Sequence, residues 1–242
     1  MGEVQRKAIN GNKALQAKKK KLRKKKIQRF RFMVIALIIF TAGIYMFRNS
    51  NESVIGENKI SGTNVMLVNK TYRLKDSYVP KDLVKVDIEF LPEATEEEHY
   101  MTKAAAGALK NLVAGAAEDG IILRGLSGYR SYETQRSLYN YNMEVNGQSY
   151  TDRYVAPPGG SEHQLGEAMD LGTQWGWIYE GCVEAQWLAD NAYKYGFIIR
   201  YEEGKEDVTG FNYEPWHIRY LGVKTAKKIY ESNITLEEYA EK

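Results

Sequence analysis

Hydrophobic and polar positions fall into two contrasting patterns along this 242-residue chain. Residues 32–47, FMVIALIIFTAGIYMF, carry no charge and no polar face. A helix of that length rises roughly 24 Å, short of a hydrocarbon core of about 30 Å. Phe30 and snorkelling from Arg31 and Arg48 make up much of the difference. From about residue 64 the pattern becomes one of short mixed segments. VMLVN (65–69) predicts a strand, and Pro80 makes residues 78–91 an irregular or edge segment. Residues 93–120 predict a helix, with acids in its first turn, an alanine-rich body and Gly120 as the stop. A buried strand follows at 121–129, then a helix over 131–145 capped by Ser131. A loop bearing Pro157, Pro158, Gly159 and Gly160 leads to a strand around GEAMDLG (166–172). The remaining segments predict a helix over 183–196, strands in FIIRY and YEPWHIRYL, and a short final helix in TLEEYAEK. Helices and short strands without a regular βαβ alternation predict an α+β domain.

Charge divides the chain at the same place. Residues 1–31 hold thirteen Lys/Arg against one acid, whereas residues 49–242 hold twenty Lys/Arg against thirty Asp/Glu. Basic residues stay on the cytoplasmic side of a span, so the N-terminus is expected inside and the acidic part outside. The expected organisation is a basic cytoplasmic tail (1–31), a transmembrane signal anchor (32–47), a flexible linker (48–63) and an extracytoplasmic domain (64–242). A cleaved signal peptide is the competing reading. It is disfavoured because the apolar run ends in the bulky Ile44, Tyr45, Met46 and Phe47. A nucleic-acid role for the lysine run is disfavoured too, because no aromatics interleave it and a span follows directly.

Candidate chemistry is sparse. There is no Ser-x-x-Lys nucleophile, G-x-S-x-G elbow, H-E-x-x-H helix or Walker A loop. The one cysteine, Cys182, has no histidine nearby and reads as an inert small residue. Two of three histidines stand out. SEHQLGEAMDLG sets His163 seven positions before Asp170, and YEPWHIRY sets Glu214 three before His217. Gly166 argues against one helix over 163–170, so His163 is expected on the loop leading into the strand that carries Asp170. Two imidazoles and a carboxylate suit catalytic zinc, and a further carboxylate could serve as general base. The plain alternative is a hydrogen-bonded His–Asp pair and a second histidine that never meets it. Trp216, Tyr220, Trp175 and Trp177 could wall a cleft or fill the core.

SGYRSYETQ (127–135), PPGGSEHQLGEAMDL (157–171) and GFIIRYEEGKEDVTGFNYEPWHIRYLG (196–222) resemble segments of the VanY-type D-alanyl-D-alanine carboxypeptidases, and LVNKTYRL and YVPKDLV resemble the start of that domain. The resemblance covers roughly residues 64–230. It implies a Hedgehog/DD-peptidase-like zinc peptidase with a small central antiparallel sheet and flanking helices. It further implies His163, Asp170 and His217 as ligands of one Zn2+, and Glu214 as catalytic base. Arg130 matches the arginine that steadies the substrate's carbonyl or carboxylate. Gln135 matches a residue that helps hold the terminal carboxylate, and Ser161 a substrate contact. His99 matches nothing and is expected on a helix surface. The implied activity is removal of the C-terminal D-alanine from peptidoglycan stem peptides, by a monomer in a bacterial, Gram-positive type cell membrane. The alternatives are an L,D-carboxypeptidase acting on tetrapeptides and, in another class, a non-catalytic wall-binding or sensor module.

The anchor reading makes a direct prediction. Expressed in a bacterium, the full chain should sediment with membranes, resist carbonate extraction, and be released when residues 32–47 are deleted. Full-length chain in the soluble fraction would contradict it.

Overall fold

The computed structural model describes residues 58–241. The basic tail, the apolar span and residues 48–57 of the expected linker lie outside the described residues. Among the described residues, no helix is long and apolar enough to cross a membrane. Residues 58–63 do not form the flexible linker expected of them, since Asn58 and Ile60 are buried and the Ile60 amide donates to Val65 O at 2.9 Å. The packed chain therefore reaches back to at least Asn58.

An edge ribbon pairs β1 (Leu83–Lys85) with β2 (Tyr100–Thr102) antiparallel, with Pro80 just outside it. The main sheet holds β3 (Arg124–Ser127), β4 (Ala168–Thr173), β5 (Gly176–Trp177), β6 (Phe197–Ile199) and β7 (His217–Tyr220). Its order is β3-β4-β7-β6, with β5 folded back on β4, and every pairing is antiparallel. This matches the α+β expectation of a small antiparallel sheet with flanking helices.

Period-two alternation sorts the central strands into a core face and a chemical face. Met169 and Leu171 of β4, Ile218 of β7 and Phe197 and Ile199 of β6 join one buried apolar cluster. Helix α1 (Lys103–Glu118) covers that cluster with Ala105, Leu109, Leu112 and Ala116, the i, i+4, i+7 stripe of an amphipathic helix. Each buried leucine there stabilises the fold by about 1.5–3 kcal/mol. The intervening residues Asp170 and His217 emerge on the other face.

Helix α2 (Tyr132–Asn146) starts at Ser131, whose hydroxyl accepts from Thr134 N at 3.3 Å. Helix α3 (Gln148–Tyr154) follows it, within a segment read as loop. Helix α4 (Val183–Asn191) is capped by Cys182, whose sulfur accepts from Ala185 N, so that cysteine has a structural job. A 3-10 turn (Ala192–Tyr195) then leads to Gly196. The short α5 (Glu206–Thr209) and α6 (Val223–Ser232) precede α7 (Leu236–Ala240), which Thr235 and Glu238 close with a reciprocal capping box.

Two expectations for the first half are corrected. The helix expected from residue 93 begins only at Lys103; before it lie a 3-10 turn (Glu97–His99) and β2. The acids there make tertiary bonds instead of starting a helix. Glu97 accepts from Ser131 N and Thr134 Oγ1 at 3.1 and 2.6 Å, and Glu98 accepts from Ser127 Oγ at 2.7 Å. His99 consequently sits in that turn with its ring 4.2 Å from the Phe90 ring, not on a helix surface. VMLVN is no strand either, its only ladder contact being the Lys59–Met66 bridge. Its alternation serves packing: Val65 and Leu67 join one apolar cluster, and Val68 joins another with Leu74 and Leu165.

Leu109→Ala should cost about 2–5 kcal/mol in urea unfolding followed by circular dichroism. Trp175→Ala, at a residue 88% exposed, should change it by less than about 0.5 kcal/mol. Equal effects would contradict this core assignment.

Candidate active site

The site is a row across the sheet. Asp170 of β4 stands opposite Ser127 of β3 on one side and opposite His217 of β7 on the other. Directly opposed residues share a face, with Cβ atoms about 4.5–5.5 Å apart. Two residues 47 positions apart are thereby brought into contact, with His217 Nδ1 2.8 Å from Asp170 Oδ1.

His163 arrives from a 3-10 turn, Glu162–Leu165, that ends at Gly166 in the left-handed region at φ 65°. That conformation suits glycine, and it turns the chain directly into β4. Gly128 completes the placement. Its carbonyl lies 2.7 Å from His163 Nδ1, and a Cβ on it would come within 2.6 Å of the Glu98 and Tyr100 carbonyl oxygens. With Nδ1–H donated to that carbonyl, His163 turns Nε2 toward Asp170 Oδ2, 3.4 Å away.

His163, Asp170 and His217 can each offer one ligand atom such that all three lie within 4.8 Å of one another, and all three residues are buried. Two imidazoles and a carboxylate at that spacing fit a divalent ion of zinc type, and a set of three leaves a fourth position open. Burial opposes ionisation of Asp170, yet His163 and His217 hold its carboxyl well below the usual carboxylate range. Burial and the Arg130 charge lower His163, favouring the neutral imidazole a metal needs. His217 is pushed up to about 9, its Asp170 and Glu162 hydrogen bonds outweighing burial.

The other expected residues gather in the same cavity, of about 610 Å³. Glu214 sits in the turn before β7, buried, its amide donating to Tyr201 O at 3.0 Å. Burial pushes its carboxyl up to about 8, and a dication in the adjacent cluster would draw it down again. Arg130 is buried, donating from Nη1 to Gln135 Oε1 at 2.7 Å and from Nε to Ser127 Oγ at 3.2 Å. Its Nη2 lies 3.5 Å from Asp170 Oδ2. Gln135 is 1% exposed, and its Nε2 donates to Ala156 O at 2.7 Å. Gln135 thus links Arg130 to the Ala156 carbonyl at the cavity wall. Ser161 opens the His163 turn and lines the cavity. Trp177 and Trp216 also line it and meet edge to face at 5.8 Å, whereas Tyr220 packs against the apolar core.

One residue of the neighbourhood escapes the sequence reading. Glu162 is 1% exposed and faces His217, Arg200 and Arg219. The signal was an arginine inside each of two apolar strands, FIIRY and HIRYL, which requires a buried acid somewhere.

A family model described as VanY, D-alanyl-D-alanine carboxypeptidase, matches residues 98–223. The Bacillus subtilis (strain 168) protein YodJ is 45% identical over 181 residues, which cover 73% of this chain but 66% of that protein, slightly under two thirds of its length. Among solved structures, the LdcB LD-carboxypeptidase is similar at a TM-score of 0.69 and 43% identity, over 76% of this chain and 92% of that chain. A vancomycin-resistance D,D-pentapeptidase, VanY, solved as a mutant in complex with Zn(II), is similar at a TM-score of 0.58 and 33% identity, over 72% of this chain and 97% of that chain.

His163→Ala and Asp170→Asn should each leave the chain folded by circular dichroism, with zinc content by elemental analysis well below that of the parent after equal loading. Parent-level zinc in either variant would remove that residue from the ligand set.

Proposed function

The chain belongs to the VanY family of D-alanyl-D-alanine carboxypeptidases, and from that premise we propose that it is a membrane-anchored, zinc-dependent D,D-carboxypeptidase that removes the terminal D-alanine from peptidoglycan stem peptides. The observation that carries the reading is the convergence of His163, Asp170 and His217 in one cavity with Glu214 and Arg130.

His163, Asp170 and His217 would hold one zinc ion. When bound, that ion supplies a Lewis acid, which acidifies water and polarises a carbonyl. Glu214, buried on the cavity wall, takes the proton of the water that attacks the scissile carbonyl. As the C–N bond breaks, it delivers that proton to the departing amine of D-alanine. A carboxyl whose burial raises its pKa toward neutrality is suited to both transfers. Arg130 presents a planar guanidinium to either the oxyanion or the terminal carboxylate. Its pairing with Gln135 and Ser127 sets its orientation before substrate arrives. Trp177 and Trp216 wall the cavity and offer the peptide an apolar surface beside the reacting bond.

In this reading residues 32–47 tether the domain outside the membrane, next to the wall. An acidic domain gains no electrostatic retention among anionic wall polymers, so the tether keeps it near its substrate. The likeness to LdcB supports a second reading with the same chemistry, an L,D-carboxypeptidase that trims tetrapeptide stems.

The test uses zinc-loaded full chain and two peptides, ending in L-Lys-D-Ala-D-Ala and in L-Lys-D-Ala, with mass spectrometry of the products. Loss of one alanine from the first supports the D,D reading, and loss only from the second transfers the assignment to the L,D reading. Glu214→Gln should keep its zinc while turnover falls by about 10²–10⁴-fold. No release from either peptide, or full turnover in that variant, would overturn the proposal.

A further inference from the structure

We propose that the β4–β5 hairpin carries a saccharide-binding face, made of Trp175, Trp177 and Tyr179, that holds the sugar to which a peptidoglycan stem peptide is attached. The inference rests on the stem-peptide reading above and extends it from the peptide to the glycan.

A tight turn builds the face. Gly172 pairs with Trp177 and Thr173 with Gly176, so Gln174 and Trp175 alone form the tip. Gly176 sits at φ 129°, a backbone conformation open to glycine. Thr173 Oγ1 accepts from Trp175 N at 2.9 Å, which fixes the turn. Beyond the tip the side chains alternate. Ile178 is buried in the apolar cluster, while Trp177 and Tyr179 on either side of it are 58% and 67% exposed. Trp175 at the tip is more exposed still. Three large aromatic side chains therefore stand in water on one short, ordered segment. An exposed apolar patch of that kind marks an interaction site.

The face is continuous with the cavity. Trp177 and Tyr179 line it, and the Trp177 ring meets that of Trp216, the neighbour of His217 in sequence. Leu138, Tyr150 and Tyr154 line the same cavity from α2 and α3. A round cavity of about 610 Å³ is roughly 10 Å across, whereas four residues of extended peptide span about 13–14 Å. A pentapeptide stem cut at its last bond has four residues between that bond and its sugar. The sugar therefore lies past the cavity, and Trp175 is the residue of the face that is outside the cavity lining.

The chemistry of the face selects among ligands. A pyranose ring has an apolar face of C–H groups and a rim of hydroxyls, and an indole offers it a flat π face and one N–H donor. Among the described residues, the indole N–H of Trp187 donates to Asp119 Oδ2 at 2.8 Å, whereas those of Trp175 and Trp177 have no such partner. Residues 173–181 contain one acid, Glu180, and no Lys or Arg. Such a surface attracts neither anionic lipid nor anionic wall polymers, and it suits an uncharged glycan.

The test gives zinc-loaded full chain one stem peptide in two forms, bare and attached to the N-acetylglucosamine–N-acetylmuramic acid disaccharide, using whichever stem the parent cleaves. KM for the glycosylated form should be about 3–10-fold lower at equal kcat. Trp175→Ala should reduce that difference, and Trp175→Ala combined with Tyr179→Ala should abolish it while circular dichroism stays that of the parent. Equal KM values in the parent, an undiminished difference in Trp175→Ala, or one that survives the double variant would overturn the inference. So would a dimer of the detergent-solubilised full chain, seen by light scattering, that is lost in the double variant, because the face would then serve a second copy. If the parent cleaves neither form, the stem-peptide reading fails separately. Titration of the disaccharide alone, followed by tryptophan fluorescence, then decides: a saturable change that Trp175→Ala removes supports the face, and no change overturns it.

Discussion

The candidate site depends on one pairing register, Asp170 opposite His217 between the two middle strands. Side chains alternate faces along a strand, so a slip of one residue would send Asp170 into the apolar cluster under α1 and bring Met169 or Leu171 out in its place. The apolar residues of β4, β6 and β7 oppose that slip, because they are buried only in the observed register. The core therefore does more than stabilise the domain. It also makes the approach of a carboxylate and an imidazole 47 residues apart a consequence of hydrophobic burial.

A buried carboxylate beside two buried imidazoles and an arginine is costly unless each charge has a partner. Around Asp170 those partners are His163, His217 and Arg130. Around Glu162 they are Arg200 and Arg219, and Glu237 and Glu167 answer the arginines from the outside. The result is a chain of alternating charges running from the cavity to α7. It ties α7, through Arg200 and Glu162, to His217. Glu214 stands apart, because burial raises it and nothing comparable lowers it. In the proposed reading, the carboxyl that moves a proton is thus kept distinct from those that stay charged.

Much of this was legible in the residues. His163, Asp170, Glu214, His217 and Arg130 meet as the resemblance to the VanY-type carboxypeptidases implied, whereas their spacing alone left open whether His217 reaches the His163–Asp170 pair; Ser131 caps the predicted helix because a capping hydroxyl is a local signal. The failures share a cause. Glu97 and Glu98 read as a helical first turn, but distant Ser131, Thr134 and Ser127 claim them. Val65 and Leu67 read as a strand, but pairing there stops at the single Lys59–Met66 bridge and their side chains serve the apolar cluster. Helix α6 went unseen because only Ala226 and Ile229 are buried in ten residues. Glu162 was hidden for a related reason: its partners lie on two other strands, and no local pattern joins them. Tertiary partners decided each of these positions.

The most direct test of the central claim is anomalous diffraction at the zinc edge from crystals of the zinc-loaded full chain. One peak is predicted per chain, bonded to His163, Asp170 and His217. A peak elsewhere, or one lacking any of these three residues, would contradict the account.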